Sequence, residues 1–175
     1  MTTVVAKRTK RGVTFASDGQ ATWGTRAIPG VVKVFENGPV VFGLAGSVRD
    51  LNLLQYVLKM PKQTKADEAN PYAWMVGKVI PAIQKVLGDG GNLNVSESQE
   101  TSESHLLFSV SGLAGYIGSD FAVTGVGEPF WAVGSGAPYA LGALACGASA
   151  DQAVAVASMF DVFTGPPSHK VKVTW

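Results

Sequence analysis

The alternation of apolar and polar positions divides the first half of the chain into hairpins followed by helices. Two hairpins are predicted, one pairing residues 3–7 with 13–17 and the other pairing 31–35 with 40–44. The Asn37-Gly38 turn of the second hairpin is a strong hairpin signal, because both residues tolerate the positive φ that a tight turn requires. The chain therefore begins with antiparallel strands.

After the second hairpin, the apolar residues follow the spacing of an α-helix. Ser47 is placed to cap a helix whose apolar stripe repeats every three or four positions, at Val48, Leu51, Leu54 and Leu58. A polar linker over 61–70 follows. Asn70-Pro71 then opens a second helix, with Asn at the cap and Pro in the first turn. Pro81 is expected to kink that helix and Gly88 to end it.

The second half of the chain repeats the order of strands and then helices. Residues 92–104 are polar and of low complexity, which predicts a mobile loop. Short strands are predicted at 105–110, 115–119, 122–124 and 130–133, then helices at 137–146 and 150–160, and a last strand at 170–174. This order predicts one α+β domain over residues 1–175, built as a four-layer αββα sandwich with two antiparallel sheets between helix layers.

Composition narrows the class of protein further. The 175 residues are 46% apolar and only 15% charged, with a net charge of +1, which argues against a disordered chain or a general nucleic-acid binder. Such low charge favours a surface partly covered by other subunits. No apolar run is long enough to span a bilayer and no signal peptide is evident, while the single cysteine, Cys146, fits a reducing compartment. We therefore expect a soluble cytoplasmic homo-oligomer with no membrane partner.

The common catalytic and cofactor motifs are absent from this sequence. His105 and His169 lie in no motif of a serine-protease triad or a metal site, and Cys146 is most simply a small core residue. Gly134-Ser135-Gly136 lacks the third glycine of a dinucleotide-binding turn, since Tyr139 stands there. The expected chemistry therefore needs no metal and no cofactor.

Thr2 offers chemistry of a different kind. If Met1 is removed, Thr2 carries a hydroxyl nucleophile and a free α-amine on one residue, a pairing known to support acyl transfer. An α-amine has a pKa of about 7.7–8.0, well below the value of about 10.4 for lysine, so it can act as a base near neutral pH. Many proteins begin with Met-Thr, however, and the dipeptide alone is a weak signal.

Several motifs occur in a fixed order behind Thr2. They are Asp18-Gly19-Gln20-Ala21-Thr22-Trp23-Gly24, Lys33 after paired valines, Gly43-Leu44-Ala45-Gly46, Gly134-Ser135-Gly136, and Asp161-Val162-Phe163-Thr164-Gly165. Together with Thr2, this arrangement resembles the proteasome β-subunit family of N-terminal-nucleophile hydrolases, and within that family the HslV peptidases. The resemblance covers almost the whole chain and is weakest over residues 61–108.

The resemblance implies a threonine-type endopeptidase subunit of a self-compartmentalising ring that degrades unfolded polypeptides with an AAA+ unfoldase. It implies that Thr2 is the nucleophile, that Lys33 lies beside its hydroxyl, and that Asp18 orients Lys33. The backbone N–H of Gly46 would face the oxyanion. The residues expected around the terminal amine are Ser135, Asp161 and Thr164.

Each of these residues also has a purely structural interpretation. Ser135 can cap a helix, Asp161 and Thr164 can close one, and Gly46 can permit a tight turn. Lys33 also departs from the family pattern, because it lies one residue nearer to Thr2 and Val32 replaces the first of two lysines. The reach of Lys33 is therefore a point that the structure must decide.

Motif offsets also predict a substrate pocket. Val31, Leu44 and Val48 are expected to line the pocket for the side chain before the cleaved bond, whereas Arg49 could swing towards it and favour acidic residues. The alternative function is a non-catalytic, proteasome-like ring or assembly protein in which Met1 is retained.

Overall fold

The computed structural model describes residues 2–96 and 99–175, so Met1 lies outside the described residues. The strands are β1 Val4–Thr9, β2 Gly12–Ser17, β3 Ala21–Trp23, β4 Arg26–Ile28, β5 Val34–Asn37, β6 Val40–Ala45, β7 Asn94–Ser96, β8 Gln99–Thr101, β9 His105–Val110, β10 Leu113–Ile117, β11 Val123–Thr124, β12 Phe130–Val133 and β13 His169–Thr174. The helices are α1 Val48–Asn52, α2 Lys65–Ala69, α3 Pro71–Trp74, α4 Ile80–Asp89, α5 Ala137–Ala145 and α6 Ala150–Phe160.

Two antiparallel sheets carry the fold. One has the strand order β12-β1-β2-β13, and the other has the order β11-β10-β9-β6-β5. In the first sheet β1 pairs with β2 from Val4–Ser17 to Thr9–Gly12, which places residue 3 and residue 18 side by side at one end. The N-terminus and the end of β2 are thus brought together by hairpin register.

Three apolar clusters hold sheets and helices together. The first joins buried side chains of both sheets, including Phe15 and Leu107, and the second joins the five-stranded sheet to α1, α4 and the segments between them. The third joins β1 and β2 to α5 and α6 through small residues such as Ala140 and Ala153. Alanine allows these two helices to lie close to the sheet.

Local sequence signals set the helix ends. Ser47 accepts the N–H groups of Arg49 and Asp50 as the cap of α1, and Ser149 forms a reciprocal capping box with Gln152 at the start of α6. Asn70 caps α3 as predicted. Pro81 has no N–H for the carbonyl four residues earlier, and the turn before α4, Met75–Val79, is π-helical.

The structure also contains elements that the hydrophobic pattern did not predict. Helix α2 lies in the linker predicted to be polar and irregular, and its ends are fixed by a capping box between Thr64 and Asp67. Residues 21–28, which lie between the two predicted hairpins, form the β3–β4 ribbon. The predicted loop at 92–104 contains the paired strands β7 and β8, while residues 97 and 98 lie outside the described residues. Among the described helices, none is long and apolar enough to cross a membrane.

Candidate active site

Asp18 lies at the centre of a buried polar cluster directly after β2. Its Oδ1 atom accepts hydrogen bonds from Thr2 Oγ1 at 2.6 Å, the Thr3 backbone N–H at 2.8 Å and Lys33 Nζ at 2.7 Å. Its Oδ2 atom accepts the N–H groups of Gln20 at 2.9 Å and Gly165 at 3.3 Å. Five donors fix this carboxylate, which therefore holds the Thr2 hydroxyl and the Lys33 amine at one oxygen atom.

Lys33 reaches this cluster despite its shorter preceding loop. Its Nζ atom donates to Asp18 and, at 2.5 Å, to the Gln20 carbonyl, and the residue is only 5% exposed. Burial lowers the pKa of the Lys33 amine, while the charge of Asp18 and the hydrogen bond to it oppose that change. The one-residue departure from the family pattern thus leaves the lysine next to Asp18.

A second carboxylate, Asp161, accepts hydrogen bonds from two hydroxyl groups near Thr2. Its Oδ2 atom accepts from Ser135 Oγ at 2.7 Å and from Thr164 Oγ1 at 2.6 Å. Because the single proton of Thr164 goes to Asp161, the Thr3 hydroxyl donates to Thr164 across 2.6 Å. Burial raises the pKa of Asp161, but these hydrogen bonds and the Phe163 N–H outweigh it and lower the pKa.

The Gly134-Ser135-Gly136 segment closes against the N-terminal residues. Ser135 Oγ and the Gly136 N–H each lie 3.4 Å from the Thr2 carbonyl oxygen. Gly134 has φ +99°, and a Cβ atom there would collide with the Thr2 carbonyl, while a Cβ atom on Gly136 would collide with the Thr3 hydroxyl. The glycines are needed for this close approach of backbone and side chain.

Gly46 lies between β6 and the cap of α1. Its φ of +147° favours glycine, and a Cβ atom there would lie 2.6 Å from Ser104 Cα and 2.8 Å from the Glu103 carbonyl. The neighbouring Ser47 N–H donates to Ser104 Oγ at 3.1 Å, whereas the Gly46 N–H has no acceptor in the described part of the chain. A free backbone N–H of this kind can donate to a negatively charged oxygen.

Two cavities meet at Thr2 and Gly46. The first, about 220 Å³, is lined by the three predicted pocket residues Val31, Leu44 and Val48, by Lys33, and by others that include Leu51 and Thr22. Arg49 is not among its lining residues. The second, about 450 Å³, is lined by Glu103, His105 and Ser135 among others. A larger cavity of about 650 Å³, lined by Trp131 and Leu141 among others, does not include Thr2.

The fold can now be compared with known proteins. No protein-family model matches the sequence, and no curated protein sequence matches it. Solved structures do match over nearly the full chain. A structure of Thiobacillus denitrificans BPH in complex with epoxomicin has a TM-score of 0.79 at 20% identity, and covers 98% of each chain. The eukaryotic HslV from Trypanosoma brucei has a TM-score of 0.69 at 18% identity, with 99% of each chain covered. The fold is that of the HslV-like N-terminal-nucleophile hydrolases.

A third match extends the comparison. An Anbu Gly-1 mutant from Hyphomicrobium sp. strain MC1 has a TM-score of 0.70 at 17% identity, covering 99% of this chain and 82% of the Anbu chain. The TM-scores show an HslV-like fold of mixed helices and antiparallel sheets. At 17–20% identity, the roles of individual residues must be argued from the site itself.

The structure brings all seven candidate catalytic residues into one region. Thr2, Asp18 and Lys33 share one hydrogen-bonded cluster, the group Ser135, Asp161 and Thr164 forms a second, and Gly46 lines both cavities at Thr2. Sequence reasoning missed Thr3, which links the two clusters through Asp18 and Thr164. It also missed Leu51, although the helical stripe from Val48 pointed to this residue. No group of three or more His, Cys, Asp or Glu that could hold a metal occurs within residues 2–96 and 99–175.

Proposed function

We propose that this chain is a threonine-type endopeptidase with Thr2 as its N-terminal nucleophile after removal of Met1. The observation that carries the proposal is the shared oxygen of Asp18, which holds the Thr2 hydroxyl at 2.6 Å and the Lys33 amine at 2.7 Å at the edge of a cavity. A buried ammonium beside a hydroxyl lowers the cost of forming an alkoxide there.

In the proposed reaction, the Thr2 hydroxyl attacks the carbonyl carbon of a peptide bond while its proton passes to the free α-amine of the same residue. The Gly46 N–H donates to the oxyanion that forms. The α-amine then gives the proton to the departing amine, and an ester to Thr2 remains. Water, deprotonated by the α-amine, hydrolyses this ester and restores the hydroxyl. Ser135, Asp161 and Thr164 hold the amine in place and tune its basicity.

Epoxomicin offers an independent test, because the similar BPH structure contains this compound. We expect peptide hydrolysis by this protein to be inhibited by epoxomicin, with the inhibitor bound at Thr2 of chains that lack Met1. Hydrolysis of a fluorogenic peptide, followed by mass spectrometry of the N-terminus, checks both points. If purified chains all retain Met1 and neither hydrolyse peptide nor bind epoxomicin, the non-catalytic ring or assembly function is favoured instead.

Substrate preference follows from the cavity of about 220 Å³ beside Thr2. Its apolar walls, formed by Val31, Leu44, Val48 and Leu51, recover about 1.5–3 kcal/mol when they bury a Leu, Phe or Tyr side chain. Lys33 also lines the cavity, but its charge is already paired with Asp18. We therefore expect cleavage after large apolar residues, measured as kcat/KM over a fluorogenic peptide panel. A preference for Asp or Glu before the cut would contradict this and would implicate Lys33 or Arg49.

Assembly is the remaining part of the proposal. We infer that the three apolar clusters stack as a four-layer αββα sandwich and that copies of the chain form a cytoplasmic homo-oligomeric ring, fed with polypeptide by an AAA+ unfoldase. The exposed apolar side chains Tyr139, Met159 and Phe160 at α5 and α6, which are 44%, 75% and 62% exposed, support burial against other copies. We expect light scattering at micromolar concentration to give a mass several times 18.2 kDa. A monodisperse monomer would contradict the ring.

A further inference from the structure

A third carboxylate, Asp50 on α1, is completely buried outside the two clusters at Thr2. Its Oδ2 atom accepts the hydroxyl protons of Ser102 at 2.8 Å and Ser104 at 2.7 Å, and its Oδ1 atom accepts from the Asn92 side-chain amide. Within the described residues, no lysine, arginine or histidine bonds to Asp50. A buried carboxylate needs hydrogen-bond donors to offset its lost hydration, so Asp50 and these three side chains fix one another's positions.

One atom, Ser104 Oγ, links Asp50 to the backbone next to Gly46, because it bonds to both Asp50 and the Ser47 N–H. The Ser104 hydroxyl gives its only proton to Asp50, so its oxygen faces the Ser47 N–H as an acceptor at 3.1 Å. The same serine packs so closely on Gly46 that no Cβ atom fits there. Ser102 supports this geometry, because its Oγ accepts the Ser104 N–H at 3.0 Å. Ser104 thus fixes the orientation of the Gly46–Ser47 backbone through this hydrogen bond and this close contact.

We propose that Ser104, oriented by Asp50, is a positioning residue for the oxyanion hole. By engaging the Ser47 N–H, it fixes the Gly46–Ser47 backbone and leaves the Gly46 N–H free to face the substrate. This inference rests on the proposed function, in which Gly46 donates to the oxyanion. Small displacements of groups that act on the reacting atoms reduce rates strongly, by about 100-fold for a shift of about 1 Å.

The experiment compares two serine variants with two probes. Ser104→Ala removes the acceptor of the Ser47 N–H. Ser109→Ala serves as the matched control, because Ser109 is also buried, on the adjoining strand, but its hydroxyl has no hydrogen-bond partner among the residues that the structure describes. One probe is a fluorogenic apolar peptide. The other is a vinyl sulfone on the same peptide, which traps the nucleophile by addition to its double bond and forms no oxyanion at a carbonyl.

For Ser104→Ala we expect kcat on the peptide to fall at least tenfold, on the order of the loss from a displaced oxyanion donor, with KM nearly unchanged. Inactivation by the vinyl sulfone should stay within about twofold of the unmodified protein. Ser109→Ala should change neither rate by more than about twofold. Asp50→Asn, which replaces one acceptor oxygen by a donor, should likewise lower kcat on the peptide and leave inactivation by the vinyl sulfone within about twofold.

Three results would overturn the inference. One is an unchanged kcat in Ser104→Ala, and another is an equal loss in both assays, which would indicate general damage to the site. The third is the same loss of kcat in Ser109→Ala. Failure of the proposed function is distinguishable, because the unmodified protein without Met1 would then neither hydrolyse the peptide nor be labelled at Thr2 by the vinyl sulfone.

Discussion

Replacing the Thr2 hydroxyl should abolish peptide hydrolysis. Thr2→Ala, with Met1 removed, is expected to lower kcat/KM by about 10³-fold or more, since loss of a nucleophile leaves only binding and oxyanion stabilisation. Folding should survive, because Asp18 keeps four of its five donors and the loss of one hydrogen bond to a charged group costs about 1.5–3 kcal/mol. Initial rates on an apolar fluorogenic peptide measure the loss.

Thr2→Ser is the matched control for this substitution. Serine keeps the hydroxyl and the α-amine on the first residue, so the variant should retain a measurable part of the activity, whereas Thr2→Ala should not. Thermal unfolding of the two variants checks that they are folded alike. Full activity in Thr2→Ala would show that another residue attacks the peptide bond.

The second large effect concerns the buried Lys33–Asp18 pair. Lys33→Met keeps most of the side-chain volume but removes the ammonium, so hydrolysis should fall by at least about 100-fold, the scale of losing one electrostatic stabiliser at the reacting atoms. The variant should also lose about 3 kcal/mol of unfolding free energy, because the Asp18 carboxylate remains buried without its counter-charge. Peptide kinetics and denaturant unfolding measure the two losses separately.

A double variant separates catalysis from stability. Asp18→Asn combined with Lys33→Met removes both charges, and we expect it to recover part of the lost stability while activity stays low. Recovery of activity together with stability would mean that Lys33 acts only by holding the fold. A Lys33→Met variant with full activity would likewise contradict its proposed role at the Thr2 hydroxyl.

Sequence reasoning predicted the elements whose signals are local. The Ser47 and Asn70 caps and the Ser149 capping box form as expected, because neighbouring residues alone determine them. The second hairpin also forms, but its first strand is Val34–Asn37 rather than 31–35, and Asn37 pairs with Val40, so the turn is Gly38-Pro39. Strands β9 and β12 were predicted over the observed residues. Helix α2 was missed because it has no buried side chain, and therefore no apolar stripe marks it in the sequence.

In the candidate site, too, the sequence predicts the residues involved but not their geometry. The ordered motifs predict which residues meet at Thr2. Distances such as Lys33 Nζ to Asp18 depend on strand register and on the conformation of loops, which a motif does not determine. The Asp50 network could not be anticipated, since its members come from α1, from Asn92 after α4 and from the segment before β9. The low complexity of residues 92–104 predicts a mobile loop, whereas Ser102 and Ser104 bond to a buried carboxylate far away in sequence.

The most direct measurement compares two preparations of the same chain, one with Met1 removed by methionine aminopeptidase and one with Met1 retained. Intact-protein mass spectrometry gives the processed fraction of each, and initial rates on an apolar peptide give the activity. If Thr2 acts through its own free amine, activity rises in proportion to the processed fraction and is lost when Met1 is retained. Equal activity in the two preparations would contradict the mechanism, because an amine bound in a peptide can neither accept nor return the proton.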